Sequence, residues 1–199
     1  MNPLKLFKIR TKHFALLLRI VFQLARVNFY QFISDATVSK KNCKQNQPVL
    51  TTGKGKIILG KCNFGIWPSP YFFSGYTHIE ARSPESKIVI GDGVYINNNA
   101  VIIADRTFIR IGNNTLIGPE FSVYDSDFHS LNPEQRNTDS YECRPVDIGE
   151  NVFIGSRVTV LKGVTIGNNS IVAAGSVVIG NVSYNTIVGG VPARVIGAL

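Results

Sequence analysis

The 199 residues suit one domain with an appendage, and 44% hydrophobic against 17% charged residues is ordinary globular composition, which argues against global disorder. A net charge of +8 fits either plain solvated surface or a phosphate-bearing partner, such as anionic lipid or a nucleotide-like small molecule; no RNA- or DNA-binding motif accompanies it, so nucleic acid is not expected. Cys43, Cys62 and Cys143 are odd in number and form no CxxC pair, which argues against a disulfide framework and a zinc site and fits a reducing cytoplasm.

Residues 1–33 are basic: Lys5, Lys8, Arg10, Lys12, Arg19 and Arg26 all precede the first acid, Asp35. Phe14–Phe22 is apolar but interrupted by Arg19, too short and too charged for a bilayer span of about 20 apolar residues. No small-residue cleavage site follows it, so it does not read as a signal peptide. The pattern predicts a basic amphipathic helix over roughly 11–28. Two settings stay open for it, a membrane surface and the protein's own body, with the second favoured. Residues 34–56 read as a connecting segment; Lys40, Lys41, Lys44, Lys54, Lys56 and Lys61 form a second basic run without an acid.

From 57 to 182 the chain carries a six-residue period, weak between Ile57 and Ile88 and then strict. Aliphatic residues recur at Ile90, Ile96 and Ile102; at Ile111, Ile117 and Val123; and at Ile148, Ile154, Val160, Ile166, Val172 and Val178. Four places after the last six come Val152, Val158, Val164, Ser170, Ser176 and Val182. An α-helix needs spacings of three and four, and a flat sheet alternation of two. A hexad instead holds a short strand and a tight turn, with Asn113-Asn114 and Asn168-Asn169 supplying turn residues. Three hexads close a triangular coil, and stacked coils bury a continuous aliphatic column. The aromatic cluster Trp67, Tyr71, Phe72, Phe73 and Tyr76, near His78, reads as a local hydrophobic patch rather than a sugar platform. Residues 183–199 are expected to cap the open end of the column.

Two places break the repeat. A three-residue insertion falls around Ala104–Thr107, and a polar, turn-rich excursion, YDSDFHSLNPEQRNTDSYECRPVD, runs from Tyr124 to Asp147. A loop this long in a compact repeat is usually functional. It holds His129 with Asp125 and Asp127 close by. Imidazole suits general-base work near neutral pH, provided a carboxylate or backbone carbonyl holds the ring with one nitrogen free. Asp127, Asp125 and a backbone group are all candidates for that holder.

The hexads resemble those of the hexapeptide-repeat acyltransferases, whose fold is a left-handed parallel β-helix; the handedness comes from that resemblance. The stretch Asp125–Pro133 is similar to the Asp/His segment of the polysaccharide-modifying and xenobiotic acetyltransferase branches. The resemblance implies a homotrimer with active sites between subunits, acetyl-CoA as acyl donor, no metal, and His129 as catalytic base with Asp127 beside it. It also implies acceptor contacts at Asn97 and at Phe153, where relatives often carry Trp. Cofactor contacts fall at Ser156, Ala174 and, within Gly189–Ile196, at Arg194. Asn97 equally suits a turn, and Arg194 equally suits open solvent. Ile179-Gly180 replaces a Thr-Lys pair common in the family, removing one basic contact to CoA, for which Lys162 and the N-terminal basic residues are the candidate substitutes. The expected function is acetyl transfer to a sugar hydroxyl in the cytoplasm or at the inner face of the membrane. The alternatives are N-acetylation of a nucleotide-linked amino sugar and, more remotely, a non-catalytic solenoid scaffold.

Overall fold

A computed structural model describes residues 3–199, with side chains from Phe14 onward. Lys5, Lys8, Arg10, Lys12 and His13 therefore lie outside the described side chains. The helix α1 runs Pro3–Phe32, longer at both ends than the amphipathic pattern, because Leu, Ala, Arg and Lys recur with no interior Gly or Pro to stop it. It ends where the Ser34 hydroxyl donates to Tyr30 O at 2.7 Å and accepts from Thr51 N at 3.0 Å, tying the helix end to the body.

Six triangular coils follow. The first is β1 (Thr37–Lys40), β2 (Lys44–Gln45) and β3 (Val49–Thr52); the second is β4 (Lys56–Leu59), β5 (Asn63–Phe64) and β6 (Thr77–Ala81). The third is β7 (Lys87–Ile90), β8 (Tyr95–Ile96) and β9 (Val101–Ala104), and the fourth is β10 (Phe108–Ile111), β11 (Leu116–Ile117) and β12 (Ser122–Tyr124). The fifth is β13 (Val146–Ile148), β14 (Phe153–Ile154) and β15 (Thr159–Val160); β16 (Thr165–Ile166), β17 (Ile171–Val172) and β18 (Val177–Val178) complete the sixth. Every third strand stacks into one sheet, giving the orders β1-β4-β7-β10-β13-β16 and β3-β6-β9-β12-β15-β18 for the first and third faces. The second face, β2-β5-β8-β11-β14-β17, is extended by β19 (Thr186–Gly190) and β20 (Ala193–Ala198). All pairings are parallel except β19 with β20, which folds back over the last coil as a cap.

All twelve aliphatic positions of the strict hexads are inside, none more than 3% exposed. Each contributes roughly 1.5–3 kcal/mol through side-chain burial, so the column dominates the fold's stability. The positions four residues on are also buried, and Ser170 and Ser176 are tolerated there because their hydroxyls are hydrogen-bonded. Ser170 donates to Ser183 O at 2.7 Å, and Ser176 donates to Ala173 O at 2.6 Å while accepting from Gly190 N. Asn114 and Asn169 take left-handed backbone at φ 58° and 61°, as tight corners require.

The solenoid starts at Thr37, a full coil earlier than the hexads show. Its first coil stacks on a neighbour from one side only and contacts α1, and by register Lys40, Gln45 and Thr51 stand where the third coil places Ile90, Ile96 and Ile102. The aromatic cluster lies on a second excursion, 65–76, between β5 and β6. Gln23 and Val27 of α1 are buried against this region. Arg26 donates to the carbonyls of Phe72 and Gly75 at 3.1 and 2.6 Å, and Tyr30 rests on Tyr76 at 4.8 Å between ring centroids. One face of α1 thus packs on the protein's own body, and the cluster is its seat. Among the described residues no helix is long and apolar enough to cross a membrane.

Candidate active site

The insertion at Ala104–Thr107 and the 124–147 excursion form one unit, because both occupy the corner between the third and first faces. Asp125, fully buried, accepts from Asp105 N at 2.7 Å, Thr107 N and Thr107 Oγ1 at 2.8 Å each, and Arg106 N at 3.3 Å. Asp125 therefore fastens the root of the loop. Two short arms then run antiparallel: Asp127 N donates to Glu142 O at 3.1 Å, Arg144 N donates to Asp125 O at 2.8 Å, and Ser126 faces Cys143. From the next coil, Lys162 reaches in between the arms, 2.8 Å from Glu142 Oε2 and 3.3 Å from Asp127 Oδ2. The Glu142 and Asp127 carboxylates raise the Lys162 pKa, and Lys162 in turn lowers that of Glu142. Lys162 is thus committed to the loop, and the position offered for CoA binding is already occupied by two carboxylates.

His129 sits exposed beyond these arms. Phe128 before it has a left-handed backbone, φ 59°, unusual for an aromatic residue and sustained by its surroundings. Its ring packs under the Arg82 guanidinium at 4.9 Å and edge-on to Tyr124 at 5.8 Å, while its amide donates to Ser126 Oγ at 2.9 Å. Turned back onto the body, Phe128 directs the next residue outward. The segment Asn132–Arg136 then forms a short 3₁₀ turn, capped by Asn132, that brings the Arg136 carbonyl 3.1 Å from His129 Nδ1. A carbonyl only accepts, so Nδ1 carries the proton and Nε2 is left as the free acceptor. Of the candidate holders, the structure uses the backbone carbonyl. Asp127 faces Lys162 and Asp125 faces the insertion, so neither carboxylate bonds the ring.

The remaining candidates lie at another corner, between the second and third faces. Asn97 and Gly118 directly follow β8 and β11, and Ser156 and Ala174 stand one place further on, after β14 and β17, in successive coils. Arg194, on β20, pairs with Gly189 at the end of the same line, exposed and, among the described residues, donating only to Ala193 O. Among the described residues the amides of Ser156 and Ala174 make no hydrogen bond, although their neighbours Gly155, Arg157 and Gly175 all donate. A Cβ on Gly118 would stand 2.7 Å from Ser156 N, and one on Gly155 2.5 Å from Ala174 N. Glycine there keeps the approach to both amides clear. Asn97 and Phe153 share an open hollow of about 310 Å³ with Tyr95, Leu116 and Ile66. Asn97 Oδ1 accepts from Asn98 N at 2.7 Å, so it caps its own turn as well.

Residues 145–180 match the model of the bacterial transferase hexapeptide, six repeats. The galactoside O-acetyltransferase of Escherichia coli is 41% identical over 134 residues, 67% of this chain and 60% of that protein. The galactoside O-acetyltransferase of Lactococcus lactis is 37% identical over 105 residues, 53% and 50% of the two chains. The chain thus spans between half and two thirds of the length of these curated relatives. A hexapeptide-repeat-containing acetyltransferase of Vibrio cholerae, solved with acetyl-CoA, superposes with a TM-score of 0.56 at 28% identity, covering 92% of this chain and 83% of that one. The chain belongs to the hexapeptide-repeat transferases. Its fold is the left-handed parallel β-helix of that family.

Three features of this hexapeptide-repeat transferase were not visible in its sequence. The pairing of Asp125 with the insertion had a trace, since the insertion falls one coil before the excursion at the same corner. Asn98 gave no such signal; buried, it exchanges bonds with Ile66 and reaches Pro70 O at 2.8 Å, anchoring the aromatic excursion. The chain His78, Glu80 and Arg82 was equally hidden. His78 Nε2 lies 3.3 Å from Glu80 Oε2, and Arg82 donates to Glu80 at 2.7 Å while covering Phe128. Among the described residues no cluster of His, Cys, Asp and Glu has a metal-binding arrangement.

Proposed function

We propose that the chain transfers an acetyl group from acetyl-CoA to a sugar hydroxyl. His129 Nε2 accepts the hydroxyl proton as the oxygen attacks the thioester carbon. A tetrahedral oxyanion forms against a free corner amide, that of Ser156, with its hydroxyl as an additional donor. The C–S bond then breaks, and the imidazolium returns its proton to the departing thiolate. No acyl-enzyme is needed, and sugar and donor are held together in one cleft. The observation that carries this reading is the imidazole held through Nδ1 by the Arg136 carbonyl, which leaves a defined acceptor nitrogen.

The base stands at one corner of the triangular section and the Asn97–Gly118–Ser156–Ala174–Arg194 line at another. A site that uses both is completed by a second copy of the chain, and a closed ring of three satisfies every copy equally. The exposed, in-register ladder Tyr95, Leu116 and Phe153 on the second face supplies apolar surface for that contact.

The test is thiol release from acetyl-CoA with a panel of sugars, amino sugars and nucleotide-sugars, comparing wild type with His129→Ala. A loss of at least ~10²-fold with a hydroxyl acceptor is expected. Turnover that survives the substitution would remove His129 from the mechanism, and turnover confined to amines would replace the hydroxyl acceptor.

A further inference from the structure

Charge in this protein is divided along the chain. Residues 1–79 hold twelve Lys and Arg against Asp35 alone, a net +11, while residues 80–199 hold nine against twelve acids, a net −3. In most folds such a division would be mixed by the tertiary structure. A solenoid keeps sequence order as spatial order, so the β-helix carries its positive charge at the α1 end. On the first two coils Lys40, Lys41, Lys44, Lys54, Lys56 and Lys61 are all exposed, and among the described residues none forms an ion pair.

The same end carries an apolar stripe. Gln23, Arg26, Val27 and Tyr30 face the body. On the opposite side of α1, Phe14, Leu18, Val21, Phe29 and Phe32 follow one another at helical spacing and are 53–87% exposed. Beside the helix Trp67 is half exposed, with the Arg19 guanidinium 5.5 Å above its ring, a pairing suited to a headgroup layer. We propose that the α1 end of the solenoid docks onto an anionic lipid bilayer, with the Phe14–Phe32 stripe lying in the interface and the lysines of the first two coils against lipid phosphates.

Complementarity of charge decides between occupants. A second copy meeting this end would bring the same unpaired lysines and repel it, whereas an anionic bilayer supplies the missing negative charge and the apolar layer together. Nucleic acid would satisfy the lysines but leave the aromatic and aliphatic stripe in water. The catalytic loop leaves from the fourth coil, about 15 Å along the axis at ~4.8 Å per coil. End-on docking therefore holds His129 a few sugar units above the lipid surface, within reach of a glycan attached to a membrane lipid.

The experiment is vesicle co-sedimentation of the full chain, using phosphatidylcholine alone and phosphatidylcholine with ~30% phosphatidylglycerol at ~0.1 M salt. Binding to the anionic vesicles is expected to exceed binding to the neutral ones by at least ~10-fold and to weaken at ~0.5 M salt. Leu18→Glu/Val21→Glu and Lys40→Glu/Lys41→Glu/Lys44→Glu each alter only exposed positions. Each is expected to lose at least ~10-fold in anionic-vesicle binding with circular dichroism and solution mass unchanged. Equal recovery from both vesicle types, or wild-type binding by both variants, overturns the proposal. A Leu18→Glu/Val21→Glu protein of lower solution mass would overturn it by assigning the stripe to a contact between copies. Duplex DNA that displaces the protein from vesicles at equal phosphate concentration, with the stripe variant binding that DNA as wild type does, would overturn it in favour of nucleic acid.

Discussion

Replacing Asp125 isolates the joint between the core and the loop that carries His129. Its buried carboxylate accepts four hydrogen bonds from the Asp105–Thr107 insertion. Bonds to a charged group contribute ~1.5–3 kcal/mol each, and a buried amide deprived of its acceptor costs ~1–3 kcal/mol. The Thr107 hydroxyl can turn to water and the Arg106 bond is long, so the loss rests on the Asp105 and Thr107 amides. Asp125→Ala is therefore expected to destabilise by ~3–5 kcal/mol, and Asp125→Asn, which keeps one acceptor oxygen, by about half as much. With a urea slope of ~2–3 kcal/mol per molar, the alanine midpoint falls by ~1.5 M, measured at equal protein concentration. Hydrogen exchange should show the Asp105, Arg106 and Thr107 amides losing protection in the native state. A midpoint within ~0.3 M of wild type, or amides as protected as before, would refute the claim that this carboxylate fastens the loop.

Lys162→Met removes the cation that bridges the two arms, leaving Glu142 to Arg144 at 3.0 Å and Asp127 without its ion-pair partner, so kcat/KM should fall by roughly 10-fold while the unfolding midpoint stays near wild type; an unchanged kcat/KM would separate the loop clamp from catalysis. The same clamp sets a pH window. Glu142 is held below the ordinary carboxylate range by Lys162, so its contribution is complete above the unfolded pKa and is lost as pH falls through the lowered folded value. Proteolysis between residues 138 and 144 should therefore stay slow through about pH 5 and quicken below it, and cleavage that slows on acidification would contradict the assignment. Among the thiols, Cys43 receives a hydrogen bond from Cys62 at 3.0 Å that lowers its pKa, with Lys40 adding to the effect, whereas burial raises that of Cys143. Iodoacetamide at about pH 8 should label Cys43 before Cys143, and peptide mass mapping that finds the reverse order would refute this.

Much of the fold was legible because one inward aliphatic per hexad leaves no other periodic solution, and the residues so marked all lie in the column. The first coil escaped notice because its hexad positions hold Lys40, Gln45 and Thr51 instead of aliphatic residues. End coils need less burial, so their sequences drift from the pattern. His129 stood out as a candidate by its setting in a polar break of the repeat. Its partner could not, because the holder is a backbone carbonyl whose position depends on a turn rather than on a residue type. Asp127 was the nearest carboxylate in sequence, but Lys162, thirty-five positions on, reaches it from the next coil. Ser156 and Ala174 were marked by family likeness alone, and their common corner follows from the coil length.

Both excursions share a property with consequences for how this protein can change. The aromatic one leaves after β5 and re-enters at β6, and the one bearing His129 leaves after β12 and re-enters at β13, each return strand pairing with its neighbours on the ladder without a shift. Loop length is thus invisible to the column, and the closure entropy of a longer loop grows only slowly with its length. A graft of a different loop changes the seat of α1 at the first point and the surroundings of His129 at the second, and leaves the stacking problem already solved. The surfaces presented at these two points can consequently diverge between descendants of this chain faster than their stability does. The variation should concentrate in two short windows of sequence while the hexads around them stand still.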